Sequence, residues 1–271
     1  MGVSVLVYAL LSAVGFYAAY KHPRVKYYTK FFLFCSVISL GSLYYALEFT
    51  FRGRDFKNAW RFKKVFWLTG RIIGLNPVLR GKQHLTPDRP CIYVANHQSC
   101  IDVISLVDVW PERCTIVSKA SMKFAGPVGL ITWLCKLIYI DRSKHRDAIS
   151  AMKKAAEEAV KEQVSVYVFP EGTRSDNTKL LPFKKGAFYL AIECQFPIQP
   201  VVISPYSSFL DHKNKRFDDA SYYVQALPQI STQGLDASSV EELMNKTQQK
   251  MQDCFDSLRT IPVALQDSNY N

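Results

Sequence analysis

The residues best suited to chemistry lie in the segment N-H-Q-S-C-I-D at residues 96–102. An imidazole titrates near neutral pH and can remove a proton from a hydroxyl group, and a carboxylate can orient the imidazole. On one continuous helix, five residues rotate through about 500°, so His97 and Asp102 would diverge. They meet only if His97 lies on a loop and Asp102 in the first helical turn, as Ser99 acting as N-cap would produce. Ser99-x-x-Asp102 also resembles a capping box, so a purely structural role explains the same residues.

A second candidate segment is F-P-E-G-T-R at residues 169–174, which follows a predicted strand. Gly172 would let the backbone approach a ligand closely, and Arg174 offers a bidentate fork for phosphate. A plain strand-to-loop turn with a surface ion pair is the alternative interpretation. Lys119 and Arg142 also follow predicted strands. Three cations that converge on one sheet edge would suit a phosphate better than three solvated charges.

Two adjacent lysines, Lys184 and Lys185, precede a helix that is predicted to begin at Gly186. They could add to the positive field around a phosphate, or they could form an ordinary solvated helix start. The sequence favours neither interpretation.

These residues need elements that position them, and from about residue 90 strands alternate with helices. Apolar or β-branched runs predict strands at 91–95, 114–117, 137–140, 164–169 and 198–204. Helical patterns predict helices at 100–110, 147–160, 186–194 and 236–258. This alternation predicts an α/β fold with a mostly parallel central sheet flanked by helices, and functional residues on loops after the strands' carboxyl ends.

The positive charge lies beside the most apolar part of the chain. Residues 21–89 contain 14 basic and three acidic residues, whereas residues 91–271 contain 20 of each, so the net charge of +11 belongs to the first of these stretches. A nucleic-acid-binding domain would spread its basic residues over a folded face. Basic residues next to apolar segments indicate attraction to anionic lipid instead.

The domain organisation follows from this pattern. Residues 2–20 and 31–47 are apolar runs, so we expect membrane-anchoring helices, one or two in number, within residues 1–55. Tryptophans mixed with basic residues predict an amphipathic interfacial helix at 56–76, with an ordinary core helix as the alternative. An α/β domain is expected at 77–260 and a tail at 261–271.

The segment 124–140 is apolar enough to resemble a membrane span, but Pro127, Gly129 and Lys136 interrupt it. If His97 and Arg174 act on one substrate, no segment between them can cross the membrane. We therefore expect a groove or core segment here. The seven cysteines form no C-x-x-C pair and no metal-ligand spacing, which indicates reduced thiols, no metal site and a catalytic part that faces the cytosol.

The ordered motifs resemble those of the glycerolipid acyltransferase family. N-H-x₄-D is followed about 70 residues later by F-P-E-G-T-R. Between them, I-Y-I-D-R at 138–142 resembles the family's second block, and F-P-I-Q-P-V-V at 196–202 resembles the fourth. The sequence is most similar to the 1-acylglycerol-3-phosphate acyltransferases of the animal endoplasmic reticulum. Lys136 departs from the pattern, because relatives often carry a small or apolar residue there.

The resemblance implies that His97 deprotonates the acceptor's hydroxyl group and that Asp102 orients His97. The oxygen would attack the thioester of acyl-CoA directly, without an acyl-enzyme, metal or other cofactor. Lysophosphatidic acid would be the acceptor and membrane lipids the surroundings, with no nucleic-acid partner. The residues implied in holding the acceptor's glycerol phosphate are Glu171, Gly172, Thr173, Arg174, Arg142 and Lys119. Location in the endoplasmic reticulum membrane, with the catalytic domain facing the cytosol, is also implied.

Three other functions remain open at this point. A serine acyl-hydrolase has Ser99 as its candidate nucleophile, although the sequence contains no G-x-S-x-G elbow. Glycerol 3-phosphate or a lysophospholipid could replace lysophosphatidic acid as the acceptor. A catalytically inactive lipid-binding scaffold is the third.

Overall fold

The structure is a computed structural model that describes residues 20–86, 89–140, 145–176 and 178–261, with the backbone alone for 145–150. The helices are α1 Pro23–Arg52, α2 Lys57–Ile72, α3 Asp102–Ser105, α4 Pro127–Leu134, α5 His145–Glu162, α6 Gly186–Cys194 and α7 Val240–Thr260. The strands are β1 Leu75–Arg80, β2 Ile92–Ala95, β3 Cys114–Lys119, β4 Ile138–Ile140, β5 Ser165–Val168, β6 Ile198–Ile203, β7 Leu210–Asp211, β8 Arg216–Phe217 and β9 Ala220–Ala226.

Seven strands form one sheet in the order β1-β9-β6-β2-β5-β3-β4, and β7 and β8 form a separate hairpin. The five strands from β6 to β4 are mutually parallel, whereas β9 runs antiparallel to β6 and pairs in parallel with β1. The mostly parallel α/β fold is thus confirmed. Because β5 lies between β2 and β3, the loops that follow β2 and β5 are neighbours at one edge of the sheet.

Apolar side chains cover both faces of the sheet. On one face, Tyr93, Tyr167 and Ile203 pack with residues of α1 and α2. On the other face, Val94, Val168 and Val202 pack with α5, α6 and α7. Alternate residues of each strand therefore belong to two separate cores, one on each face of the sheet. The loops that leave the strands' carboxyl ends lie between the two helical layers.

Most predicted elements are present, with α6 at the predicted bounds and β4, β5 and β6 within one residue of them. The helix predicted at 100–110 is wrong in length, because only the single turn of α3 forms and turns follow it to residue 109. Strands β1 and β9 were not predicted. Pro77 interrupts the pattern of β1, and β9 stands apart from the alternation that identified the other strands.

Helix α1 packs along the α/β domain and keeps one face exposed. Its buried side chains recur about once per turn: Tyr27, Lys30, Phe34, Ile38, Ser42, Ala46 and Phe49. Its exposed large apolar side chains are Tyr28, Phe32, Leu40, Leu43, Tyr44, Leu47 and Phe51. Within the described ranges, it is the one helix long and apolar enough to cross a membrane. The apolar run at 2–20, except Tyr20, and the tail from residue 262 lie outside the described residues.

Polar contacts connect α1 to the β7–β8 hairpin and to the segment that follows it. The Nζ of Lys30 lies 2.7 Å from Oδ1 of Asp219, and the Nζ of Lys26 lies 2.9 Å from the same oxygen. The hydroxyl group of Tyr27 is 2.8 Å from Nδ1 of His212. Two of the basic residues that follow the first apolar run are therefore bound to the domain.

Helices α2 and α4 lie beside α1. Helix α2 lies within the segment 56–76, with Phe62 and Val65 buried and Trp67 exposed. Helix α4 occupies the middle of the 124–140 segment. Its eight residues would be about 12 Å long, too short to cross a hydrocarbon core of about 30 Å. This supports the prediction that 124–140 does not span a membrane.

Candidate active site

His97 and Asp102 meet at the carboxyl end of β2. Nδ1 of His97 lies 2.7 Å from Oδ2 of Asp102, with His97 on the loop and Asp102 in the first turn of α3, as the sequence required. The Asp102 side chain is 1% exposed. A neutral imidazole that donates Nδ1–H to this carboxylate keeps its lone pair on Nε2. Among the described residues, Nε2 has no hydrogen-bond partner, so it is free to accept a proton.

Asp102 also holds the backbone of the loop. Its Oδ2 accepts from the N–H of Gln98 at 2.7 Å, and its Oδ1 accepts from the N–H of Ser99 at 3.0 Å. Ser99 was expected to be the N-cap, but no side chain caps α3, and the Ser99 hydroxyl donates to the sulfur of Cys100 instead. Asp102 therefore accepts from the Ser99 N–H, as one half of a capping box would, although Ser99 is not the N-cap, and the same carboxylate contacts the His97 ring.

The loop after β5 holds His97 from the other side. The N–H of His97 donates to Oε1 of Glu171 at 2.8 Å, and its carbonyl oxygen accepts from the N–H of Ser175 at 2.9 Å. The ring of Phe169 stacks on the imidazole, with 4.1 Å between the ring centroids and 18° between the planes. Both backbone polar groups and one face of the ring are thus fixed by this loop.

Asn96 and Gln98 join the site to the end of β6. Asn96 exchanges two hydrogen bonds with the backbone of Ile203, and Gln98 donates to the carbonyl oxygen of Ser204 and accepts from the N–H of Tyr206. Both amides are buried. Sequence reasoning missed this role, although two polar residues on either side of a candidate base were a signal that the loop is internally bonded.

A group of buried hydroxyl groups lies next to Asp102. The hydroxyl group of Ser105 is 2.8 Å from that of Tyr206 and 2.8 Å from that of Tyr222. Burial raises the pKa of Tyr206 well above its ordinary value, and the nearby negative charge of Asp102 raises it further. Tyr206 therefore stays protonated next to Asp102 and can act as a hydrogen-bond donor on that side.

The residues assigned to phosphate binding differ in their burial and in their position. Glu171 is buried, and both of its oxygens already accept backbone hydrogen bonds, from His97 and from Leu181. Thr173 and Arg174 are exposed beside it, and Gly172 has a φ of +71° that favours glycine. Lys119 is exposed at the end of β3, on the same edge of the sheet. Arg142 lies outside the described residues.

Arg174 is exposed on the loop after β5. Burial raises the pKa of the Cys100 thiol, and the positive charge of Arg174 acts in the opposite direction. Over the described ranges, the Arg174 side chain has no ion-pair partner, so the guanidinium can receive an anion.

A cavity of about 830 Å³ lies on the opposite face of the sheet, between β3, β5, α5 and α6. Its wall is mainly apolar, and it includes Phe169, Pro170, Gly172 and Lys184. In the described part of the chain, no group of three or more His, Cys, Asp or Glu side chains is arranged to hold a metal ion.

Comparison with known proteins places this site in a family. A sequence model described as Acyltransferase matches residues 76–204, a range that contains His97, Asp102 and the loop after β5. The human 1-acyl-sn-glycerol-3-phosphate acyltransferase alpha is 35% identical over 237 residues, which are 88% of this chain and 82% of that protein. The human beta protein is 39% identical over 245 residues, 88% and 86% of the two chains.

More distant proteins match in the same way. The 1-acyl-sn-glycerol-3-phosphate acyltransferase of Saccharomyces cerevisiae is 35% identical over 212 residues, 74% of this chain and 69% of that one. The crystal structure of the lysophosphatidic acid acyltransferase PlsC from Thermotoga maritima superposes with a TM-score of 0.71. It covers 89% of this chain and 100% of that chain at 21% identity, so it supports the fold. By the extent and identity of these matches, the chain belongs to the acyltransferase family.

Proposed function

We propose that this protein transfers a fatty acyl group from acyl-CoA to the sn-2 hydroxyl group of 1-acylglycerol 3-phosphate, giving phosphatidic acid and CoA. The observation that carries the proposal is the pair of His97 and Asp102 next to a loop with an exposed Arg174, which has no ion-pair partner among the described residues. A base beside a phosphate-binding cation suits acylation of a phosphorylated alcohol. The names of the related human and yeast proteins support this acceptor.

In the proposed mechanism, Nε2 of His97 removes the proton from the acceptor's hydroxyl group as its oxygen attacks the thioester carbonyl carbon. Asp102 holds the ring in the required tautomer and stabilises the imidazolium ion that forms. The tetrahedral intermediate then collapses, the carbon–sulfur bond breaks, and the imidazolium returns the proton to the thiolate of CoA. The transfer is direct, so it needs no acyl-enzyme and no metal ion.

The acceptor's phosphate would lie against Arg174, whose planar guanidinium can donate two parallel hydrogen bonds. Thr173 and the backbone at Gly172 would contribute from the same loop. We assign Glu171 an indirect role, because its carboxylate is occupied by the backbone N–H groups of His97 and Leu181. Arg142 and Lys119 would add positive charge from the ends of β4 and β3.

We further propose that the exposed apolar face of α1, with the tryptophans of α2 and α4, rests in the membrane that supplies the acceptor. Trp60 and Trp67 on α2 and Trp133 on α4 are partly exposed beside α1. Tryptophans and basic residues are typical of the interface between headgroups and acyl chains. This membrane would be that of the endoplasmic reticulum, with the catalytic domain on the cytosolic side.

The alternatives make different use of the same residues. A serine hydrolase would need the Ser99 hydroxyl bonded to His97, whereas it is buried and donates to Cys100. Glycerol 3-phosphate or another lysophospholipid would use the same base and differ only in the acceptor. A lipid-binding scaffold would leave the His97–Asp102 pair without a purpose.

The test is acyl transfer by the full chain purified in detergent micelles. Labelled acyl-CoA is offered with lysophosphatidic acid, glycerol 3-phosphate or lysophosphatidylcholine, and the wild type is compared with His97→Ala and Ser99→Ala. We expect phosphatidic acid from the first acceptor, loss in His97→Ala and retention in Ser99→Ala. Transfer mainly to another acceptor would contradict lysophosphatidic acid as the substrate. No transfer by the folded wild type would favour the lipid-binding scaffold.

A further inference from the structure

The two adjacent lysines before α6 have different surroundings, which the sequence did not distinguish. The Nζ of Lys185 lies 2.8 Å from Oε2 of Glu241 in α7, and both side chains are largely exposed. Lys185 therefore belongs to a surface ion pair between two helices. Lys184 instead points its side chain at the loop after β5, and its N–H donates to the carbonyl oxygen of Pro170 at 2.8 Å.

The side chain of Lys184 lies on Gly172. A Cβ atom at Gly172 would be 2.8 Å from Nζ of Lys184, 2.9 Å from its Cε and 3.0 Å from its Cδ. These distances are shorter than normal van der Waals contacts, so a side chain at position 172 would displace the end of Lys184 from where it lies. The glycine in the loop thus has two functions, since it adopts a positive φ and also accommodates the ammonium group beside the loop.

The ammonium group of Lys184 has no ion-pair partner in the part of the chain that the structure describes. It is exposed, and it lines the 830 Å³ cavity together with Phe169 and Pro170. Among the described residues, the connection between β5 and α6 therefore carries two exposed cations without an ion-pair partner, Arg174 and Lys184.

We propose that Lys184 is a second phosphate-binding residue of the active site and that Lys185 is not. The inference rests on the proposed function, in which both substrates carry phosphate: a monoester in lysophosphatidic acid, and a monoester and a diphosphate in acyl-CoA. Lysine carries a compact charge on a flexible side chain, so it can bind the phosphate of lysophosphatidic acid or a phosphate of acyl-CoA. Lys184 lines the same cavity as Phe169, and the Phe169 ring stacks on the imidazole of His97, so the cavity connects the lysine with the proposed base.

The experiment compares wild type, Lys184→Ala, Lys184→Arg and Lys185→Ala, all as the full chain in micelles. The KM for each substrate is measured with the other saturating, and thermal unfolding is recorded for each variant. Lys184→Ala should raise one KM about tenfold or more, the loss expected for one charged hydrogen bond. Lys184→Arg should recover most of that loss, and Lys185→Ala should stay within about twofold of wild type.

Two arms identify which phosphate is bound. A rise in the KM for lysophosphatidic acid alone assigns Lys184 to the acceptor. A rise in the KM for acyl-CoA assigns it to the donor, and acyl-pantetheine, which lacks the phosphates of CoA, should then be used equally by wild type and Lys184→Ala. In either case the substitution at Lys184 should matter only when that phosphate is present.

The outcomes separate this inference from the proposed function. If wild type transfers acyl groups but Lys184→Ala and Lys185→Ala behave alike, Lys184 is not a phosphate-binding residue. If wild type transfers to no phosphorylated acceptor, the proposed function fails. Calorimetric titration with CoA and with lysophosphatidic acid then still decides on Lys184, because equal affinities in wild type and Lys184→Ala would overturn it.

Discussion

The backbone N–H of His97 donates to Oε1 of Glu171 across 2.8 Å, so the acidic residue of the F-P-E-G-T-R segment supports the proposed base directly. Oε2 of the same carboxylate accepts from the N–H of Leu181, which lies in the segment that leads to Lys184. One buried side chain thereby links the loop after β2 to two parts of the connection between β5 and α6. A shift of the Glu171 side chain would therefore displace His97 and the proposed phosphate-binding loop together.

We predict that Glu171→Gln destabilises the protein by about 1–3 kcal/mol, because the amide can accept only one of the two hydrogen bonds. It should also lower kcat more than it raises KM. Burial raises the pKa of Glu171 above its ordinary value, although the two backbone hydrogen bonds oppose this shift. A raised folded pKa means that the wild type loses stability as the pH rises from about 4.5 through that pKa.

Urea unfolding between pH 4 and pH 8 checks this prediction. The difference in unfolding free energy between wild type and Glu171→Gln should be largest at low pH and should shrink as the pH rises. Parallel pH profiles for the two proteins would show that Glu171 does not titrate with a raised pKa.

We predict that Asp102→Asn lowers kcat by about 100-fold or more. The asparagine has one acceptor oxygen for a site where the carboxylate accepts from the His97 ring and from two backbone N–H groups. Its NH₂ group would also favour the wrong imidazole tautomer. Steady-state transfer with saturating substrates measures the change. Glu112→Gln, in an exposed ion pair with Lys57, is the control and should retain activity.

We predict that Phe169→Leu lowers kcat about twofold to tenfold with little change in either KM, because the imidazole loses its stacking partner. Phe169→Tyr keeps the ring face and should stay close to wild type. The pair of variants separates stacking from apolar volume. Equal losses in both would mean that the loop tolerates no change at this position, whatever the ring does.

We predict that Asp219→Asn loosens α1 from the domain. Burial alone would raise the pKa of Asp219, but its bonds to Lys30 and Lys26 outweigh burial and lower it. Its contribution is therefore present above the unfolded value of 3.8 and is lost as the pH falls through the lowered pKa. At pH 7, hydrogen exchange over residues 23–34 should be faster in Asp219→Asn. Lys57→Ala, which removes an exposed pair, should leave it unchanged.

We predict that glutamate at two positions on the exposed face of α1, Leu40→Glu with Tyr44→Glu, reduces binding to vesicles that contain phosphatidic acid. The two side chains are 66% and 68% exposed, so the thermal unfolding temperature should change little. Sedimentation with vesicles measures the binding. Gln233→Glu with Ser231→Glu, on an exposed loop before α7, adds the same two charges elsewhere and should bind as wild type does. Unchanged binding of the double variant would remove α1 as the lipid-contacting surface.

The sequence predicted the parts of the site that depend on local order. The spacing of His97 and Asp102 allowed their contact only with His97 on a loop and Asp102 in the first helical turn, and the strand pattern predicted functional residues on the loops after the strands. It could not assign Glu171 to the His97 backbone, because that contact joins residues 74 apart. It also could not separate Lys184 from Lys185, because their partners, Gly172 and Glu241, lie on other elements. Strands β1 and β9 were missed for the same reason, since each is stabilised mainly by pairing with the other.

The close packing of α1 against α2 limits how this enzyme can be divided. A Cβ atom at Gly41 would lie 2.6 Å from Cγ1 of Val65, so the Val65 side chain packs directly on the backbone of α1 at Gly41. Deleting α1 to obtain a detergent-free fragment would uncover Val65, Phe62 and the rest of that apolar face, and the fragment would be expected to aggregate. A chimera that carries an unrelated anchor would meet the same obstacle. The same helix therefore presents apolar residues to lipid and completes the protein interior. Substitutions at Gly41 and Val65 must be compatible with each other.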